Sequence, residues 1–100
     1  TPIRIAARLT ETGTLIGFLR ALSDGETVAY LQDVLVHPDH HRRGIGTALV
    51  QELLRETSQV RQVVLMTDAE PRQRAFYESL GFVETHDHVP QTLRSFVRLQ

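Results

Sequence analysis

The sequence predicts an α/β fold, a mixed twisted sheet with elements in the order β-β-β-α-β-α-β-β. Three observations carry this. The chain opens with three apolar segments separated by short polar turns that contain Gly. From Gly44 the apolar spacing changes to the helical period. Between two helical stretches, Val63-Val64-Leu65-Met66 is a short continuous apolar run, as in a buried parallel strand. A helix joining two strands in this way is a crossover, so the strands on either side of it form a parallel pair.

The elements follow in order. Ile3 to Leu9 is strand-like, and Thr10-Glu11-Thr12-Gly13-Thr14 breaks it as a hairpin connection. Leu15 to Leu22 is the return strand, and Ser23-Asp24-Gly25-Glu26 is a second turn. Val28 to Val36 is a third strand, apolar at both odd and even positions, which predicts burial on both faces. His37-Pro38-Asp39 stops it, because Pro donates nothing to a ladder. Ile45, Ala48, Leu49 and Leu53 then mark a helix running to about Ser58. Pro71 suits the first turn of a second helix, with Gln73, Phe76, Tyr77 and Leu80 on its apolar stripe and Gly81 just past its end. Phe82 to Glu84 is expected to start another strand. Leu93 to Leu99 alternates at strand period and is expected to be the last.

A chain of 100 residues allows one domain, 1–100, with a single thin core. Its 11 basic and 12 acidic residues give a formal net charge of −1, which argues against a general nucleic-acid or membrane-surface binder. All the basic residues are Arg; Lys, Cys, Trp and Asn are absent. Without Cys these residues form no disulfide framework, zinc ribbon or cysteine nucleophile. No apolar run approaches the ~20 residues of a membrane span, and none resembles a signal peptide. The expectation is a soluble cytoplasmic protein.

The most informative stretch runs from Val34 through His37-Pro38-Asp39-His40-His41-Arg42-Arg43 to Gly44-Ile45-Gly46-Thr47. A strand enters a turn with two glycines one residue apart, and then a helix. Such a helix start leaves backbone N–H groups unpaired, and its dipole attracts anions. Gly44 and Gly46 let a phosphate approach the backbone closely, so the segment reads as a phosphate or pyrophosphate cradle with Arg42 and Arg43 beside it. The plainer reading is that the glycines only permit a tight turn. A Walker A loop is excluded by the lack of Lys. A dinucleotide fingerprint is excluded because Leu49 stands where its third Gly belongs.

Val36-His37-Pro38 followed by Arg42-Arg43-Gly44-Ile45-Gly46-Thr47-Ala48-Leu49 closely resembles the acyl-CoA-binding motif of the GCN5-related N-acetyltransferase (GNAT) family, whose pattern is Arg/Gln-x-x-Gly-x-Gly/Ala. A second segment, Arg74-Ala75-Phe76-Tyr77-Glu78-Ser79-Leu80-Gly81-Phe82, is similar to the family's later helix and strand. The resemblance covers roughly residues 15 to 85 and implies an acyl-CoA N-acyltransferase-like fold. The chain departs from the pattern in three places. The first motif position falls on His41 rather than Arg or Gln. No Asn stands near the second helix start, where Glu70 and Arg72 lie instead. The family also usually places a strand and one or two helices ahead of the hairpin that begins here at Ile3, and these commonly shape the acceptor pocket. The sequence is therefore expected to be a short member without them.

The resemblance implies transfer of an acetyl group from acetyl-CoA, as cosubstrate, to a primary amine of a small molecule or peptide, by direct attack in a ternary complex. The residues implied to bind CoA are Leu35, Val36, His41, Arg42, Arg43, Gly44, Ile45, Gly46 and Thr47. The loop amides and the Thr47 hydroxyl would hold the pyrophosphate. A backbone N–H at Leu35 or Val36 would polarise the thioester carbonyl, where a β-bulge near Asp33 to Leu35 parts two parallel strands. Tyr77 is the candidate acid, since a phenol near pKa 10 stays protonated beside a thiol near 8.5; the plainer reading is a core aromatic beside Phe76. Asp33, in an otherwise apolar strand, is the candidate base if burial favours its neutral form; the plainer reading is a carboxylate at a wet strand edge. Gln32, His37 and Glu70 are poorer candidates.

No metal is expected. His37, His40 and His41 read as loop polarity around the anion site. His86 and His88 lie in a polar stretch, Glu84 to Gln91, read as a solvent-facing hairpin. Missing cover on the sheet predicts a homodimer, with Leu93 to Leu99 as the candidate pairing segment. Two other function classes stay open, a catalytically weak CoA-binding or sensing module and an interaction domain that uses the fold alone.

Overall fold

Two tight turns bring the first three strands side by side. The structure, a computed structural model, describes residues 2–41 and 43–100. In the first turn the Leu9 amide donates to the Thr14 carbonyl at 2.9 Å and the Gly13 amide to the Leu9 carbonyl at 2.8 Å. In the second, the Asp24 carboxylate takes the Thr27 hydroxyl and the amides of Glu26, Thr27 and Val28. Those donors, the Thr27 hydroxyl first, hold the Asp24 carboxyl well below the usual carboxylate range.

The chain divides into two compact units, Thr1–Met66 and Thr67–Gln100. The first holds a sheet of β1 (Pro2–Arg8), β2 (Leu15–Ser23), β3 (Val28–Val36) and β4 (Gln62–Leu65), in that spatial order. β1 and β3 run antiparallel to β2, and β4 runs parallel to β3. Helix α1 (Ile45–Glu56) makes the crossover between β3 and β4. It covers one face of the sheet. Beneath it Leu19, Ala21, Ala29 and Leu31 meet Leu49, Val50 and Leu53, all buried. Ile3, Ile5 and Ala7 of β1 extend that face by register with Ala21, Leu19 and Gly17. Val50 takes the buried place expected for Ala48, which is exposed.

Burial on both faces of β3 and β4 is not what forms. Leu35 and Val64 are exposed, because α1 is the one α-helix of this unit among the described residues and it covers one face. The backbone of Gly17 passes directly under the first turn of α1. A Cβ there would lie 2.8 Å from Ile45 Cγ2 and 3.2 Å from Leu49 Cδ1. The missing side chain sets how closely the helix start sits on the sheet.

The second unit holds α2 (Pro71–Ser79) and a short 3₁₀ turn at Thr85–Asp87. Gln73, Phe76, Tyr77 and Leu80, the expected stripe, are its half-buried positions. The strands expected at Phe82–Glu84 and Leu93–Leu99 do not form, and neither does a hairpin across Glu84–Gln91. Alternation alone makes no strand without a neighbour to share the ladder, and these segments have none among the described residues. Arg74 supplies order instead, bonding Glu78 at 3.0 Å, Glu84 at 2.6 Å and Asp87 at 2.5 Å. Among the described residues no helix is long and apolar enough to cross a membrane.

Gly17→Ala forces the branched Ile45 side chain away from the sheet. The expected loss is about 1–3 kcal/mol, read as a lower denaturant midpoint with an unchanged slope. A midpoint equal to the parent's would show that the close approach is not needed.

Candidate functional site

The helix start is the first part of the site. Gly44 caps α1 with φ at +75°, a left-handed conformation that glycine adopts without strain. The first intrahelical bond runs from the Ala48 amide to the Gly44 carbonyl at 2.9 Å. The amides of Ile45, Gly46 and Thr47 therefore have no partner within the helix. No side chain caps them, and no acidic residue stands in the first turn. Among the described residues no side chain competes with an incoming anion for these donors or for the positive end of the dipole. Arg42 lies outside the described residues. The Arg43 guanidinium donates to His40 Nδ1 at 3.4 Å.

The second part is the outer edge of β3. Arg20 pairs with Asp33 while Ala21 pairs with Leu31, so Gln32 is an extra residue. The bulge expected at Asp33 to Leu35 thus falls at Gln32. β4 pairs only with Val28 to Leu31. Beyond the bulge that edge of β3 has no strand beside it among the described residues. The His37 amide donates to the Ile16 carbonyl at 2.8 Å. Backbone groups alternate along an antiparallel ladder, so the amides of Leu35 and Asp33 face β2, and those of Val34 and Val36 face the open edge. Of the two expected donors, Leu35 is turned inward and Val36 outward. Val34 is a donor that sequence reasoning missed, because its direction depends on which residue forms the bulge.

His41 joins the two parts. Its Nε2 lies 3.0 Å from the Val36 carbonyl oxygen. A carbonyl only accepts, so Nε2 carries the proton, as it does in one neutral tautomer and in the imidazolium. The side chain fills a carbonyl on the open edge that β4 leaves unpaired. The other histidines are loop architecture. The Asp39 amide donates to His37 Nδ1 at 3.1 Å, and the His37 and His40 rings meet edge-on at 5.8 Å. No group of three or more His, Cys, Asp or Glu residues converges to hold a metal among the described residues.

Asp33 is placed differently from its expectation. It lies on the sheet face away from α1, one residue past the bulge. Its side chain keeps 36% exposure and bonds Arg20 Nη2 at 2.6 Å. The burial expected of it is not there, and its carboxylate is engaged by Arg20.

Tyr77 stands in the second unit. Helix α2 ends with the Gly81 amide on the Glu78 carbonyl at 3.1 Å and the Phe82 amide on the Tyr77 carbonyl at 3.0 Å. This is a Schellman end, and such ends commonly bring together the side chains two residues past the cap and three before it. Here those residues are Phe82 and Tyr77, whose rings meet edge-on at 5.6 Å; Phe76 adds a second edge contact at 4.9 Å. Tyr77 is half-buried, and burial pushes its hydroxyl above the usual value of 10.0.

A helix start without a side-chain cap beside a strand edge without a neighbour is what this α/β fold presents among the described residues. The acetyltransferase (GNAT) domain model matches residues 5–84, and the chain belongs to that family. It is 36% identical over 75 residues to the uncharacterized N-acetyltransferase ycf52 of Pyropia yezoensis, covering 75% of this chain and 43% of that protein. The chain thus spans less than half the length of such curated relatives. A GNAT family acetyltransferase of Streptococcus pneumoniae superposes with a TM-score of 0.73 at 29% identity, over 92% of this chain and 68% of that one. The aminoglycoside N-acetyltransferase AAC(6′)-Iy in complex with CoA shares the fold, with a TM-score of 0.72 at 22% identity, over 97% of this chain and 74% of that one.

If His41 holds the loop to β3, His41→Ala weakens CoA binding by about 5–30-fold, the value of one or two kcal/mol of lost positioning. His41→Gln keeps an N–H donor and restores most of the affinity. Calorimetry with CoA checks both, and equal affinities in all three proteins would remove His41 from the site.

Proposed function

We propose that residues 1–100 form one acetyl-CoA-binding domain that moves an acetyl group to a primary amine of a small molecule or peptide, by direct attack in a ternary complex. The observation that carries this reading is the continuity of the open β3 edge with the uncapped start of α1. One supplies donors along an extended ligand, and the other supplies donors for its phosphates.

Acetyl-CoA, when bound, supplies an activated acyl carbon. The amides of Ile45, Gly46 and Thr47 and the Thr47 hydroxyl would hold the pyrophosphate, with Arg42 and Arg43 adding charge. The amides of Val34 and Val36 would orient the arm, and Val34 would donate to the thioester oxygen as negative charge builds there. The new bond joins the amine nitrogen to the acyl carbon, and the bond to sulfur breaks. Asp33 would take the proton released from the ammonium, directly or through water. Tyr77 would return a proton to the sulfur, and its raised hydroxyl keeps that proton across the neutral range.

The Arg20–Asp33 pair favours a second reading. A carboxylate already engaged at 2.6 Å suits a CoA-binding or sensing module with weak turnover. Thiol release from acetyl-CoA with a panel of amines separates the two readings. On the first, Gly46→Glu abolishes CoA binding, because a side chain and a charge occupy the phosphate position. Tyr77→Phe then binds CoA normally and lowers kcat by about 100-fold or more. Unchanged thiol release in Tyr77→Phe would sink the acid assignment.

The proposal extends to a homodimer. Phe96 is 90% and Leu99 85% exposed, with Leu93 and Val97 also exposed. A second copy pairing this segment would remove that apolar surface from water. Light scattering at micromolar concentration is expected to give twice the chain mass, and a monomer mass would refute the pairing.

A further inference from the structure

The sheet face away from α1 carries a charged row whose purpose the fold does not explain. Arg4, Arg20 and Asp33 stand opposite one another on β1, β2 and β3. Arg20 bonds Asp33 at 2.6 Å. Arg4 is exposed and makes no ion pair among the described residues. The row therefore holds two guanidinium groups facing each other and one carboxylate. Like charges directly opposite on a sheet destabilise it, and Asp33 neutralises only one of them. The neighbouring rows on the same face are apolar. Phe18 pairs with Leu35 on one side, and Leu22 pairs with Tyr30 on the other. Leu22 and Leu35 are exposed.

The row also ends at the open edge of β3, because Asp33 lies past the last residue that β4 pairs with. The open-edge amide nearest it belongs to Val34, one residue from Asp33. Helix α1 covers the other face of the sheet, so it does not cover the row. We propose that the amine acceptor also carries an anionic group, a carboxylate or a phosphate, held by Arg4 and Arg20 while Asp33 holds its ammonium. The proposal rests on the acetyl-transfer reading above and narrows its acceptor.

The geometry gives the anion a second effect. Arg20 is engaged with Asp33 at 2.6 Å. An acceptor anion drawn between Arg4 and Arg20 competes for the Arg20 guanidinium. It relieves the facing cations and loosens the hold on Asp33. The carboxylate then becomes free for the ammonium at the moment an acceptor arrives. A neutral amine brings nothing to displace Asp33. The row would thus couple recognition of one end of the acceptor to release of the proton acceptor at the other. Charge-assisted bonds from guanidinium to carboxylate or phosphate are strong enough for that competition.

The test uses matched acceptors and thiol release from acetyl-CoA. An α-amino acid is compared with its amide, and an amino-sugar phosphate with the free amino sugar. The anionic member of at least one pair is expected to show kcat/KM about 10-fold or more above its neutral partner. The pair that shows it tells carboxylate from phosphate. Arg4→Gln and Arg20→Gln are expected to bring that ratio toward one. The readout is a ratio within one protein, so partial loss of folding does not move it. Equal use of anionic and neutral members by the parent overturns the inference and leaves acetyl transfer standing, as does a ratio unmoved in both variants. Absence of thiol release with every amine overturns the transfer reading itself, and this inference with it.

Discussion

β4 parts from β3 after Leu31 and Leu65, and the backbone of β3 beyond that point must satisfy its hydrogen bonds without a strand on that side. Backbone donors and acceptors are obligatory groups, and leaving one unpaired out of water costs about 1–3 kcal/mol. The fold answers this unevenly. The Val36 carbonyl is taken by His41 at 3.0 Å. The Val34 and Val36 amides, which point the same way, are left as donors along an extended edge. Such an edge suits a ligand that is itself extended and carries acceptors at strand spacing, the physics by which sheets recognise peptides. The bulge at Gln32 makes the edge usable. It shifts the alternation by one residue, so that Val34 rather than Leu35 looks outward.

The helix start depends on the same parting. The crossover must leave the end of β3 and return to pair beside its beginning, so α1 begins near the end of β3 that β4 has left. Gly17 lets the first turn settle on β2, and Gly44 lets the chain turn into the helix with φ at +75°. Three amides without a partner inside the helix, and the positive end of the dipole, then stand at the end of an edge that already carries two amides. A net charge of −1 is no obstacle to anion binding under these conditions. The attraction comes from fixed backbone dipoles over a short range, where screening is weak, and not from the overall charge.

Much of this architecture is legible in the order of the amino acids. The third strand falls at Val28–Val36 as the apolar run requires, and the half-buried stripe of α2 is the one its spacing predicts. Gly81 and Phe82 follow Tyr77 at the spacing of a Schellman end, so that motif is readable as a piece of helix-terminus chemistry. What is not legible has one physical root: pairing is not local. Leu93 to Leu99 has the alternation of a strand, but a ladder needs a second strand and none lies beside it among the described residues. The bulge is a property of two strands, so neither sequence segment alone shows whether the extra residue is Gln32 or a neighbour. The state of Asp33 is likewise decided by Arg20 across the sheet, thirteen residues away. A carboxylate in an apolar run looks buried until the residue opposite is known.

Pairing also changes what a motif departure means. His41 stands where the family pattern has Arg or Gln, and by residue type that is a break. By the bond the side chain makes, it is not. The bond to the Val36 carbonyl needs a side-chain N–H, and Arg, Gln and His all carry one. Histidine meets the need with two side-chain torsions, so it loses less rotamer freedom on ordering than the longer side chains do. A sequence can leave the pattern at that position and still close the loop on the strand.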